Sequence, residues 1–181
     1  EFVTPKQIIK LMVEMMIPTS KDIIYDPACG TGGFLINAAN HIKKNEPREL
    51  KDKEDKYSFN DGIFHGVDIN LQQASISKIN LLLHGIKDPD ITCRNALTDL
   101  FSKKIRLNSG FRKPDYGHLP QYSLILSNPP FSSKISGDLI LRFKGNAELT
   151  KSGDLQFLSL YLNLLQPGGR AAVIVPENVL Y

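Results

Sequence analysis

The chain has 181 residues, of which 41% are hydrophobic and 23% charged, and its formal net charge is +3. These values suit one soluble domain with a full core and give only a mild preference for an anionic partner. No apolar run approaches the ~20 residues that a membrane-spanning helix needs, and no secretory signal opens the chain.

Read in order, "TPKQIIKLMVEMM" has helix-start chemistry. Thr4 suits the N-cap, Pro5 the first helical position and Gln7 a capping box. Ile8, Leu11, Met12, Met15 and Met16 recur at helical spacing and predict the core-facing stripe, with Pro18 closing the helix. "DIIYDP" then reads as a short strand ending at a carboxylate, and "GGFLINAANHIKK" as a helix. Residues 43–62 are charged and aperiodic and predict an exposed insertion. "IFHGVDI" is a second strand, ending at Asp68, and "LQQASISKINLLLHG" a helix closed by Gly85. "ITCRNAL" is a third strand. Residues 102–121 predict a basic, Gly/Pro-punctuated exposed insertion, and "YSLILS" is a fourth strand running into "NPPF". Residues 132–152 are polar and predict a mobile loop. "DLQFLSLYLNLL" is a strong helix, "QPGGR" a turn and "AAVIVP" a fifth strand.

Apolar strands alternating with helices predict a doubly wound, mostly parallel α/β sheet over 1–181. Such sheets bind ligands beyond the carboxyl ends of their strands. Asp26, Asp68, Asn95 and Asn128 all fall at those predicted ends. The start "EFVTPKQII" carries no initiator Met and the end "VIVPENVLY" stops just past a strand. Both read as a segment of a larger protein whose sheet lacks its last strands. The two cysteines, Cys29 and Cys93, are expected as free thiols in a reducing cytoplasm. The four His are isolated and no Cys/His spacing fits zinc, so no metal is expected.

The loop "DPACGTGGF" (Asp26–Phe34) is not a phosphate-binding P-loop, which needs a Lys and Ser/Thr after its last glycine. It shares part of the dinucleotide pattern G-x-G-x-x-G, with the third glycine out of place. The turn lets backbone approach a ligand closely. A pyrophosphate would be repelled by Asp26, whereas an ammonium group would be attracted. Asp68, at the next strand end, suits ribose hydroxyls. A ligand with a ribose and a cationic amino-acid part, and no phosphate, fits both acids. S-adenosyl-L-methionine has that composition.

"NPPF" (Asn128–Phe131) is the sharpest motif. Two prolines make a rigid, extended segment without backbone donors. Asn128 offers a side-chain acceptor and Phe131 a flat ring. Together they suit a planar group that bears an NH2.

"DPACGTGGF", "GVDIN" and "SNPPF" together resemble an amino-methyltransferase that acts on N6 of adenine in DNA. "TPKQI", "DPACGTGGFL" and "DINLQQASISKINLLLHGI" further resemble the modification subunit of type I restriction–modification systems. The resemblance spans nearly the whole chain. It implies the fold of class I S-adenosylmethionine-dependent methyltransferases. It implies cofactor contacts at Thr4 (methionine carboxylate), Asp26 with Ala28, Gly30, Thr31, Gly32 and Gly33 (methionine part), Asp68 (ribose) and Asn95 (cofactor adenine). It implies a target-base pocket of Asn128, Pro129, Pro130 and Phe131. Asn95 and Ser123 stand where the family often has Asp. The implied partners are double-stranded DNA with a flipped adenine, a specificity subunit and a restriction subunit.

The chemistry follows from the donor. The sulfonium makes its methyl electrophilic, while the lone pair on adenine N6 is delocalised into the ring. Hydrogen bonds from the amino group to Asn128 Oδ1 and the Pro129 carbonyl would favour a tetrahedral nitrogen and stabilise its developing positive charge. A base inside a duplex must flip out to reach such a pocket, with Phe131 stacking on it. The clusters Lys103, Lys104, Arg106, Arg112, Lys113 and Lys134, Arg142, Lys144, Lys151 would contact phosphate. Three alternatives share some of these features: a protein glutamine N-methyltransferase, a cofactor-binding scaffold without activity, and a nicotinamide oxidoreductase.

Overall fold

The computed structural model describes residues 3–47, 61–97, 106–107, 110–111, 120–131 and 152–179. Helix α1 (Lys6–Met16) precedes strand β1 (Ile24–Asp26), helix α2 (Gly33–Asn45), strand β2 (Asp61–Asp68), helix α3 (Leu71–Leu83) and strand β3 (Asp88–Cys93). The two-residue strands β4 (Arg106–Leu107) and β5 (Gly110–Phe111) follow, then β6 (Tyr122–Ser127), α4 (Gly153–Leu164) and β7 (Leu165–Val173). A 3-10 turn covers Glu177–Val179.

The main sheet has five strands in the order β3-β2-β1-β6-β7, and each neighbouring pair is parallel. This is the doubly wound fold predicted above. From β1 the chain steps through β2 to β3 on one side, then returns to β6 and β7 on the other. Right-handed crossovers therefore put their helices on opposite faces. Ile24, Phe64, Leu124 and Leu126 pack under α1, α2 and α3 through Ile9, Val13, Leu35, Ala38, Ile42 and Leu81. Tyr25, Val67, Tyr122 and Ile125 face α4 through Phe157, Leu160, Tyr161 and Leu164. The central strands β1 and β6 are buried along their whole length, which explains their unbroken apolar runs. Among the described residues, no helix is long and apolar enough to cross a membrane.

Several sequence expectations change in detail. Thr4 does not cap α1: the N-cap is Pro5, whose carbonyl accepts from the N–H groups of Ile8 and Ile9, and no side chain caps the helix. The buried stripe of α1 is Ile9, Met12 and Val13, with Met16 partly covered, while Ile8, Leu11 and Met15 are exposed. Both stripes fit helical spacing, and docking against α2 selects one of them. Lys43 to Asn45 extend α2 and Asp61 opens β2, so the insertion expected over 43–62 is shorter at both ends; residues 48–60 lie outside the described residues.

β3 begins at Asp88, upstream of "ITCRNAL", and ends at Cys93. Its Pro89 is tolerated because β3 is an edge strand. Inside 102–121, β4 and β5 form a small antiparallel ladder. The "QPGGR" turn is a bulge within β7. Leu165 pairs with Tyr122 and Arg170 with Leu124, so four residues bow out opposite Ser123, with Gly168 at φ 79°. The loop expected at 132–152 lies outside the described residues except Ser152, as do the basic clusters apart from the backbone of Arg106.

Candidate active site

β1 and β6 are adjacent where the strand order reverses, and their carboxyl ends carry Asp26 and Asn128. A crevice beyond the strands at this point is where a doubly wound sheet holds ligands. The residues meet there in a cavity of about 130 Å³. Thr4, Asp26, Ala28, Gly30, Thr31, Gly33 and Asn128 line it, so seven of the sequence-predicted residues share one cavity. Gly32, Asp68, Asn95, Pro129, Pro130 and Phe131 do not line it.

Asp26 is 1% exposed. Burial raises its pKa to about 7, against the pull of the Ala28 N–H and the Ser127 hydroxyl, and the Asp68 charge adds to the rise. Oδ1 accepts the Ala28 N–H at 3.1 Å. Among the described residues no cation bonds to this carboxyl. A buried acid with a raised pKa on a cavity wall is a candidate site for an incoming positive charge.

The glycine loop turns sharply between β1 and α2. Gly30 and Gly32 have φ of 52° and 86°, which favours glycine at both. Their surroundings differ. A Cβ on Gly30 would meet nothing within 4 Å, so the loop leaves open space there. A Cβ on Gly32 would come within 2.7 Å of Ser77 Oγ, so Gly32 serves the close approach of α3. Asn80 of α3 also holds the loop, donating from Nδ2 to the Thr31 carbonyl at 3.0 Å.

Asp68 fixes the loop from the end of β2. Its Oδ2 accepts the Gly30 N–H at 2.9 Å and its Oδ1 the Asn70 N–H at 2.8 Å. Asn70 in turn caps α3, accepting from the N–H groups of Gln72 and Gln73. Each Asp68 oxygen keeps one lone-pair direction for a further donor. Asn95 lies two residues past β3, and its Oδ1 accepts the Leu97 N–H at 2.9 Å.

Asn128 is half-buried, and its Nδ2 donates to Thr4 Oγ1 at 2.8 Å. Its Oδ1 is buried and has no hydrogen-bond partner among the described residues. The following prolines account for this. In an Asx-turn an Asn side chain bonds to the N–H two residues on, and Pro130 at that position has none. A buried, unsatisfied acceptor costs about 1–3 kcal/mol, so its retention on a cavity wall points to a donor supplied by a ligand. Pro129 is buried, while Pro130 and Phe131 are exposed, Phe131 at 43%.

Sequence reasoning missed Val3, Ile9, Phe34 and Gln73, which complete the lining. Gln73 was findable, since it lies in the first turn of the helix that follows the Asp68 strand end. Cys29 also lines the cavity, but burial pushes its thiol well above the usual range, so it is no nucleophile at neutral pH. Among the described residues no His/Cys/Asp/Glu group could hold a metal ion. The donor set fits S-adenosylmethionine: a buried acid for its cationic part, open backbone at Gly30, and an unpartnered acceptor beside them.

Comparison with known proteins agrees with this architecture. The chain is 33% identical over 181 residues to the type I restriction enzyme EcoEI methylase subunit of Escherichia coli, covering all of this chain and 33% of that protein. It superimposes on the crystal structure of the type I restriction enzyme EcoKI M protein with a TM-score of 0.81 at 28% identity, covering 100% of this chain and 35% of that one. A modification subunit of a putative type I restriction enzyme from Vibrio vulnificus YJ016 gives 0.78 at 29% identity, with the same coverage. The chain thus spans about a third of the length of these relatives. The model of the N-6 DNA Methylase family matches residues 1–181. With that match running from end to end, the chain belongs to the N-6 DNA methylase family.

Proposed function

We propose that this chain carries the catalytic centre of an adenine-specific DNA methyltransferase. It would move a methyl group from S-adenosyl-L-methionine to N6 of adenine as part of a type I modification subunit. The observation that carries the reading is the buried, unpartnered Oδ1 of Asn128, in the same cavity as Asp26. A planar amino group supplies the donor that this oxygen lacks.

S-adenosylmethionine, when bound, supplies a methyl group already made electrophilic by its sulfonium. Asp26 attracts the cationic amino-acid part, the Ala28–Gly33 turn gives it backbone, and Asp68 accepts from ribose hydroxyls. Asn95 accepts from the cofactor adenine. Asn128 Oδ1 and the Pro129 carbonyl accept the two N–H bonds of the target amino group. That draws its lone pair out of the ring and stabilises the positive charge that grows during transfer. Phe131 offers an exposed face on which a flipped adenine stacks. Sequence choice on DNA falls to a separate specificity subunit, with a restriction subunit as the further partner.

The test is methyl transfer by the complete protein with its partner subunits. The substrate is genomic DNA from a host lacking the system, digested to nucleosides after reaction. N6-methyladenine is expected, with no label on a glutamine-containing peptide. Label on the peptide and none on DNA would overturn the reading.

A further inference from the structure

We propose that Thr4 is a positioning residue for Asn128: it holds the amide so that Oδ1 faces the cavity. This rests on the functional reading above and extends it to a residue outside the NPPF motif. Three observations carry it. Thr4 precedes a helix that it does not cap, so its hydroxyl is not used locally. That hydroxyl accepts instead from Asn128 Nδ2 at 2.8 Å, across 124 residues of sequence. Both residues line the cavity, and the other end of the same amide is the buried oxygen without a partner.

The amide has two ends with opposite hydrogen-bonding character. With Nδ2 satisfied by Thr4, the incoming amino group meets an acceptor. With the amide reversed, N–H would face N–H and the site would repel its substrate. Asn128 has no donor from Pro129 or Pro130 to lock its side chain. The side chain is held instead from the far side, by the bond from Nδ2 to Thr4 Oγ1. Polarisation along the chain from Oδ1 through Nδ2–H to Thr4 Oγ1 also strengthens Oδ1 as an acceptor. Thr4 is held for this task by α1, which Arg170 ties to β7 by donating to the Met16 and Ile17 carbonyls.

The experiment compares wild type, Thr4→Val and Thr4→Ser in the complete protein with its partner subunits. Single-turnover methyl transfer to DNA, calorimetric affinity for S-adenosylmethionine and thermal melting are read on each. Valine keeps the shape and removes the acceptor. Misplacement of one catalytic group costs on the order of 10- to 100-fold, so transfer by Thr4→Val is expected to slow by that factor. Tm is expected to hold, the slowing is expected to persist at saturating S-adenosylmethionine, and Thr4→Ser is expected to recover most of the rate. Wild-type transfer with an unslowed Thr4→Val would overturn the inference alone. So would a Thr4→Val defect confined to cofactor affinity, which would make Thr4 a contact to the methionine carboxylate. Absence of N6-methyladenine with wild type would instead overturn the functional reading beneath it.

Discussion

Arg170 grips Asp22 with both terminal nitrogens, Nη1 on Oδ1 and Nη2 on Oδ2, each at 2.9 Å. The pair joins β7 to the turn before β1, 148 residues away. Ser123 Oγ donates to the same carboxylate at 2.6 Å and the Thr19 N–H at 2.8 Å. Ser123 Oγ also accepts the Ile23 N–H at 2.9 Å. Ser123 thus has a structural task, with its acid partner supplied by Asp22.

This cluster predicts an acid-sensitive stability. Burial would raise the Asp22 pKa, but Arg170, Ser123 and Thr19 outweigh it and hold it at about 2, below the ordinary 3.8. The contribution is full above 3.8 and fades as pH falls towards 2. Arg170→Met strips the charge partner from a carboxylate that is 6% exposed. With the Arg170 side chain 37% exposed, it is expected to lower stability by about 1–3 kcal/mol at pH 7 and to flatten the loss between pH 4 and 2, both read by urea titration. An unchanged midpoint at pH 7 would contradict the role.

Asp26 predicts the opposite trend. Its pKa is raised from 3.8 to about 7, so the unfolded chain ionises first as pH rises. Stability is lost between about pH 4 and 7 and stays lost above. Asp26→Asn keeps the acceptor for the Ala28 N–H and removes the buried charge. Its Tm is expected to exceed that of wild type at pH 8, with the gap closing as pH falls to 4. A cationic ligand favours the ionised form, so wild-type affinity for S-adenosylmethionine should increase as pH rises towards 7, by up to about tenfold per unit, and level off above it. Calorimetry on Asp26→Asn should find weak binding and a lost slope. Equal affinity in the variant would remove Asp26 from the site.

How much of this was legible beforehand depends on the range of the interaction. The alternation of strands and helices was readable because each element carries its own period. The strand ends at Asp26, Asp68 and Asn128 followed from it. The face of α1 was not readable, since Ile8, Leu11 and Met15 repeat as regularly as the buried set, and only the docking of α1 on α2 separates them. The local pattern around Thr4 is that of a cap, and the structure does not use it. The bond Thr4 makes is to a residue 124 positions on, which no local pattern encodes. Gly30 and Gly32 look equivalent in "CGTGGF", yet one borders open space and the other a helix.

That difference is testable. Gly32→Ala adds a Cβ at φ 86°, 2.7 Å from Ser77 Oγ. Overpacking against the buried Ser77 of α3 is expected to cost about 1–3 kcal/mol by urea titration. Adding Ser77→Ala should recover part of it, because the hydroxyl clash goes and the backbone strain stays. Full stability in Gly32→Ala would show that α3 yields freely there.

The claim that the NPPF segment performs the chemistry is tested most directly at its unpartnered oxygen. Asn128→Ala in the complete protein removes Oδ1 and leaves the glycine loop, Asp26 and Asp68 in place. Single-turnover methyl transfer to adenine is expected to fall by about 10²- to 10³-fold, the usual effect of removing one preorganised group aimed at developing charge. Affinity for S-adenosylmethionine, read on the same preparation by calorimetry, is expected to change little. Transfer at the wild-type rate, with the cofactor still bound, would contradict the account.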